Sequence, residues 1–99
     1  MAQFDYYDIP TGQGYLLNVQ SDLITDLNTV VVIPLLPSRS VPNALRYLHP
    51  IFPINGQPYV LVTHLLTAIP SRELSKSAGS LEPRRDEIVR ALDTLLSGI

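Results

Sequence analysis

The chain has no cysteine and no tryptophan among its 99 residues. Without thiols, a disulfide framework and thiolate-based zinc sites are impossible. Charge is also sparse: 16% of the residues are Asp, Glu, Lys or Arg, against about a quarter in an ordinary globular protein. Lys and Arg number seven and Asp and Glu nine, and no basic run is longer than Arg84–Arg85, which Asp86 and Glu87 follow directly. Nucleic-acid binders cluster cations to neutralise phosphates, so direct nucleic-acid binding by this chain is disfavoured. Long apolar runs are missing too. The longest, Val30–Leu36, contains Pro34 and falls far short of the roughly 20 residues that span a bilayer. The N-terminal MAQFDYYDIP lacks the basic and apolar regions of a secretory signal. The expectation is a soluble, cytoplasmic protein with no membrane association.

What is present is an ordinary apolar content, 45%, in a chain with room for one domain over residues 1–99. Low charge beside normal hydrophobicity leaves an apolar face at the surface, which suits a homodimer or a partner surface.

The chain reads mainly as β. In Gln3–Asp8 (QFDYYD), Phe4 and Tyr6 alternate with polar positions, and TGQG at Thr11–Gly14 is turn chemistry leading into a second strand, Tyr15–Gln20. Thr29–Leu36 (TVVVIPLL) has the β-branched, apolar character of a strand covered on both faces. Pro34 donates to no ladder and so marks a bulge or the end of pairing. Five of the nine prolines fall between Pro37 and Tyr59, which excludes a long helix there. Asn55–Gly56 suits a type I′ turn, joining Ile51–Ile54 to a single second arm, Tyr59–Leu66. SRELSKSAGS at Ser71–Ser80 reads as a loop with a helical turn.

The C-terminal segment is helical in pattern. Ser80 is a candidate cap, Glu82 suits the positive helix end and Pro83 fits the first turn. Ile88, Leu92, Leu95 and Ile99 recur at helical spacing, with Val89 and Leu96 widening the stripe. The expected fold class is mainly β or small α+β: about five mostly antiparallel strands and one C-terminal helix.

Catalytic signatures are scarce. No phosphate-binding glycine loop, HExxH pair or GxSxG elbow occurs, and no metal or cofactor is expected. His49 precedes Pro50 and reads as a surface or turn residue. His64 sits within the expected strand Tyr59–Leu66 and reads as a hydrogen-bonded core or interface residue. Nothing in the sequence brings the two together or sets a carboxylate beside them. Arg39, Arg46 and Arg72 in expected loops supply the residue types of a ribonuclease site, without defined geometry. In QSDLI, Leu23 and Ile24 follow turn residues; they either fold back onto the core or form an exposed contact point.

Three pieces, QF near the N-terminus, VQSDLI at Val19–Ile24 and VVIPL at Val31–Leu35, resemble the CcdB family of gyrase-poisoning toxins. LHP at Leu48–Pro50, Gly56 and the helix ending in Gly98–Ile99 continue the resemblance in order along nearly the whole chain. It implies an SH3-like antiparallel sheet with a small β-wing and a C-terminal helix. It also implies a homodimer that binds the DNA gyrase A subunit without catalysis. A cognate CcdA-like antitoxin would release gyrase and, in complex with the toxin, repress the operon, touching operator DNA only through the antitoxin. The gyrase-binding positions implied are Leu23, Ile24, Asp93, Leu96, Ser97, Gly98 and Ile99. Asp93 stands where the family usually has Asn. Leu96 and Ser97 stand where it typically has Phe and Trp, while Gly98 and Ile99 match. An endoribonuclease of the same fold superfamily, or a non-toxic member that only binds antitoxin, are the alternatives.

Overall fold

A computed structural model of the chain describes residues 1–10 and 12–98. Among these, seven strands form one sheet: β1 (Asp5–Asp8), β2 (Tyr15–Asn18), β3 (Thr29–Pro37), β4 (Ile51–Ile54), β5 (Gln57–Leu61), β6 (Thr67–Pro70) and β7 (Gly79–Ser80). The order is β4-β5-β3-β2-β1-β7, with β6 also on β3, and every pairing is antiparallel. One helix, α1 (Arg85–Ser97), closes the chain. The mainly-β expectation with a C-terminal helix holds.

The turns follow from their residues. Asn55 and Gly56 take positive φ, 53° and 78°, as a type I′ turn requires, and fix the β4–β5 register with Pro53 opposite Pro58. The first hairpin pairs Tyr7 with Leu16, and Gly14 there has φ 115° with the Leu35 carbonyl where a Cβ would stand.

Two strand expectations need correction. Pro34 does not end β3, which runs to Pro37 and pairs Pro34 with Leu16. On its other edge, however, β3 changes partner there: Thr29–Val32 pair with β6 and Leu35–Pro37 with β5. The proline therefore sits at the break in that ladder, where its missing N–H costs least. The expected single arm Tyr59–Leu66 is likewise two strands. Between β5 and β6 the register along β3 slips by three residues, and Thr63–Leu65 leave the ladder as a 3-10 turn. That turn is a bulge in what is otherwise one long strand lying along β3.

The core lies between the curled sheet and α1. Leu17, Ile33, Leu35, Phe52 and Leu61 from the sheet, with Phe4 just before β1, meet Leu81 and Ile88, and Leu92 packs at its edge. The helix stripe is narrower than its periodicity suggests: Ile88 and Ala91 are buried, while Val89 and Leu96 face solvent. Each residue turns the helix by about 100°, so Val89 is rotated off the face that Ile88 buries. Ser80 does not cap the helix as expected: its Oγ accepts the Glu82 N–H at 3.1 Å, while Leu81 stands at the N-cap of a 3-10 turn, Glu82–Arg84, that leads into the helix, whose own N-cap is Arg84. The Arg84 and Arg85 guanidiniums lie over the Phe52 and Phe4 rings at 4.9 and 5.4 Å, fastening this end of the helix to the core.

Candidate partner-binding surface

The loop after β2 is ordered by polar contacts rather than by apolar burial. Gln3 N–H donates to Asp22 Oδ1 at 2.7 Å, tying the loop to the N-terminal segment. Gln20 bridges the loop with both ends of its amide: Oε1 accepts the Val31 N–H at 3.2 Å and Nε2 donates to the Ile24 carbonyl at 3.2 Å. Ser21 closes the turn, its hydroxyl accepting the Leu23 N–H and its carbonyl the Ile24 N–H, both at 3.1 Å. The outcome for QSDLI is the exposed alternative: Leu23 is 93% and Ile24 50% exposed. Met1 and Leu27 are exposed as well, and with Ile24 and Asp22 they line a groove of about 420 Å³. A turn held by hydrogen bonds keeps an apolar side chain in water where a partner reaches it at little ordering cost.

The helix end is the second element. Gly98 takes φ 74°, a left-handed cap, and its N–H donates to the Thr94 carbonyl at 3.0 Å. Asp93, Leu96 and Ser97 are exposed on the last turns. Leu96, 73% exposed, lies one turn from Asp93. Asp93 and Gly98 line a groove of about 800 Å³ with Tyr47, Val89 and Arg90. Ile99 lies outside the described residues. The loop and the tail thus both present exposed positions, but they line separate grooves with no residue in common.

The titratable groups nearby are mostly engaged. Arg84 Nε donates to Glu87 Oε1 at 2.5 Å, and this hydrogen bond holds the Glu87 carboxyl below the usual carboxylate range. Of the arginines considered for ribonuclease chemistry, Arg39 donates to Gln13 and Arg46 lies over the Tyr47 ring, and the two line different grooves. Arg72 sits apart on the 3-10 turn Ser71–Glu73.

The histidines overturn the sequence reading. His49 is buried, not a surface residue, and His64 is exposed on the bulge, not within a strand. Their rings meet, with His49 Nε2 2.8 Å from His64 Nδ1, and the Leu45 N–H donates to His49 Nδ1 at 2.9 Å. Burial pushes the His49 imidazole below its usual pKa, and the second imidazole adds to this. The positional clue in the sequence was only that both residues flank the β4–β5 hairpin; their contact depends on the bulge, which periodicity does not reveal.

A family model described as CcdB protein matches residues 3–98 of the chain. The chain belongs to the CcdB family. No individual curated protein matches it. The CcdB match spans the β2–β3 loop and all of the helix, so both exposed elements lie inside the family's own frame rather than in an appendage. Membership makes the chain a toxin of the toxin–antitoxin class. Among the described residues, no helix is long and apolar enough to cross a membrane.

Proposed function

We propose that this CcdB-family toxin acts by binding the DNA gyrase A subunit, not by catalysis, and that Leu23, Ile24, Asp93, Leu96, Ser97, Gly98 and Ile99 form the contact. The observation that carries this reading is Leu23: an almost fully exposed leucine on a turn held in place by Asp22, Ser21 and Gln20. An exposed apolar side chain adds nothing to folding, and its burial against a partner is worth about 1.5–3 kcal/mol. A homodimer places the loop and tail of two protomers on one assembly, which gives the separate grooves a shared partner. The cognate antitoxin, competing for the dimer, releases gyrase and with the toxin represses the operon, operator DNA being held by the antitoxin.

Ser97 sets the expected strength. A tryptophan there would bring an interface anchor of 150–250 Å², whose loss costs about 2 kcal/mol or more, or at least tens-fold in affinity. Binding should therefore be present but moderate. Calorimetric titration of the purified protein with the gyrase A fragment tests this. Saturable binding that Leu23→Ala weakens supports the reading. A flat titration, with the antitoxin still bound tightly, leaves a family member that binds antitoxin alone.

A further inference from the structure

The contact between His49 and His64 has a consequence for protonation that follows from its donors. The Leu45 amide only donates, so His49 Nδ1 is the unprotonated nitrogen of that ring. The proton of neutral His49 is then on Nε2, and it points at His64 Nδ1. His64 accepts there and carries its own proton on Nε2. Two neutral rings in fixed tautomers thus complete a chain from Leu45 through His49 to His64, and each ring's one lone pair is already occupied. A further proton on His49 Nδ1 sets a donor against the Leu45 N–H. A further proton on His64 Nδ1 sets a donor against the His49 Nε2–H. Any imidazolium breaks a link.

Among the described residues, no carboxylate is hydrogen-bonded to either ring. On the loop of His49, Arg46 and Tyr47 are the neighbouring ionisable groups; α1, which packs against the bulge, brings Glu87 and Arg90 to a groove with them and Pro50, and Arg85, Asp86 and Asp93 to a second groove with Tyr47. Glu87 is paired with Arg84. β3, which packs against the bulge, contains no ionisable side chain. Within the loop, the backbone bonds from Leu48 and His49 to the Leu45 carbonyl close the turn on itself.

We propose that His49 and His64 form an acid-released latch: as neutral rings they fasten the Leu45–His49 turn to the bulge at Thr63–Leu65, and uptake of one proton breaks either the ring-to-ring bond or the Leu45 bond that orients His49, loosening the turn. The latch matters because the turn carries Tyr47, a wall of the groove that also holds Asp93 and Gly98. Releasing the turn moves that wall, so groove shape depends on pH across the range in which histidine titrates. The inference stands on the imidazole geometry and needs no partner, so it fails or holds separately from the gyrase reading.

Long-range ¹H–¹⁵N NMR of the full chain between pH 8 and pH 5 tests it. At pH 8 both rings should show the Nε2–H tautomer. On acidification, the His49 ring signals and the Leu45 and Tyr47 amides should move with one shared midpoint, below the ordinary imidazole value of about 6.5. In His64→Ala the His49 midpoint should shift upward, and the Leu45 and Tyr47 amides should lose their sharp pH step. His64→Gln, whose amide oxygen still accepts, should retain the native amide positions at pH 8. An Nδ1–H tautomer on His49 at pH 8, or Leu45 and Tyr47 amides that ignore the histidine titration in the parent protein, overturns the proposal.

Discussion

Replacing Leu23 by Ala separates binding from folding more cleanly than any other change in this chain. The side chain is 93% exposed, so its truncation should alter unfolding free energy by no more than about 0.5 kcal/mol. If gyrase buries it, the lost apolar area corresponds to roughly 1.5–3 kcal/mol, or about 10- to 100-fold in Kd at ~1.4 kcal/mol per tenfold. Ile88→Ala is the opposite case. Ile88 is fully buried on the helix face against the core, and its truncation should cost about 2–5 kcal/mol of stability. Urea unfolding of each variant, paired with calorimetric titration against the gyrase A fragment, reads both quantities. Leu23→Ala binding as tightly as the parent, or unfolding as readily as Ile88→Ala, would refute the assignment of the β2–β3 loop.

Other outcomes follow from individual positions. Ser97→Trp should tighten gyrase binding by tens-fold with little change in urea midpoint, since residue 97 is exposed; an unchanged Kd would place the tail outside the contact. Gly14→Ala should lower stability by more than the ~1 kcal/mol of a strained φ alone, because its Cβ would meet the Leu35 carbonyl. Gly56→Ala, at a φ of 78° with open space around it, should cost only about that much, and thermal melts of the pair check the difference. Acid should weaken the fold in two windows. His49, depressed when folded, contributes stability that is full above about pH 6.5 and falls as pH drops through its folded pKa. Glu87, also depressed, contributes above the ordinary carboxylate pKa and loses its share as pH falls further through its own folded value. Glu87→Gln should flatten only the lower window in pH-dependent urea melts, and the effect should shrink in salt because the Arg84 pair is partly exposed.

Much of the fold was legible where local chemistry decides geometry. Asn55–Gly56 specified its hairpin, Ser80 and Pro83 marked the approach to the helix, and the spacing of Ile88 and Leu92 placed the core face. The failures share a physical cause, a dependence on distant partners. The bulge at Thr63–Leu65 exists because β3 pairs with both arms in registers that differ by three residues, and an apolar run does not encode that offset. The meeting of His49 and His64 follows from the bulge and was invisible for the same reason. The two-residue β7 is too short for any periodicity to appear. Leu23 and Ile24 remained ambiguous because an apolar pair reads alike whether buried or presented. The polar bonds from Asp22, Ser21 and Gln20 resolve them as presented.

The most direct measurement of the central claim is a cleavage-complex assay with purified gyrase, ATP and supercoiled plasmid, stopped with denaturant and protease. A toxin that traps gyrase on cut DNA should yield linear plasmid in proportion to its concentration. The yield should fall with Leu23→Ala, rise with Ser97→Trp and vanish when the cognate antitoxin is added. An unchanged supercoiled band at saturating toxin, with the antitoxin complex intact or with RNA cleaved in its place, would contradict the account.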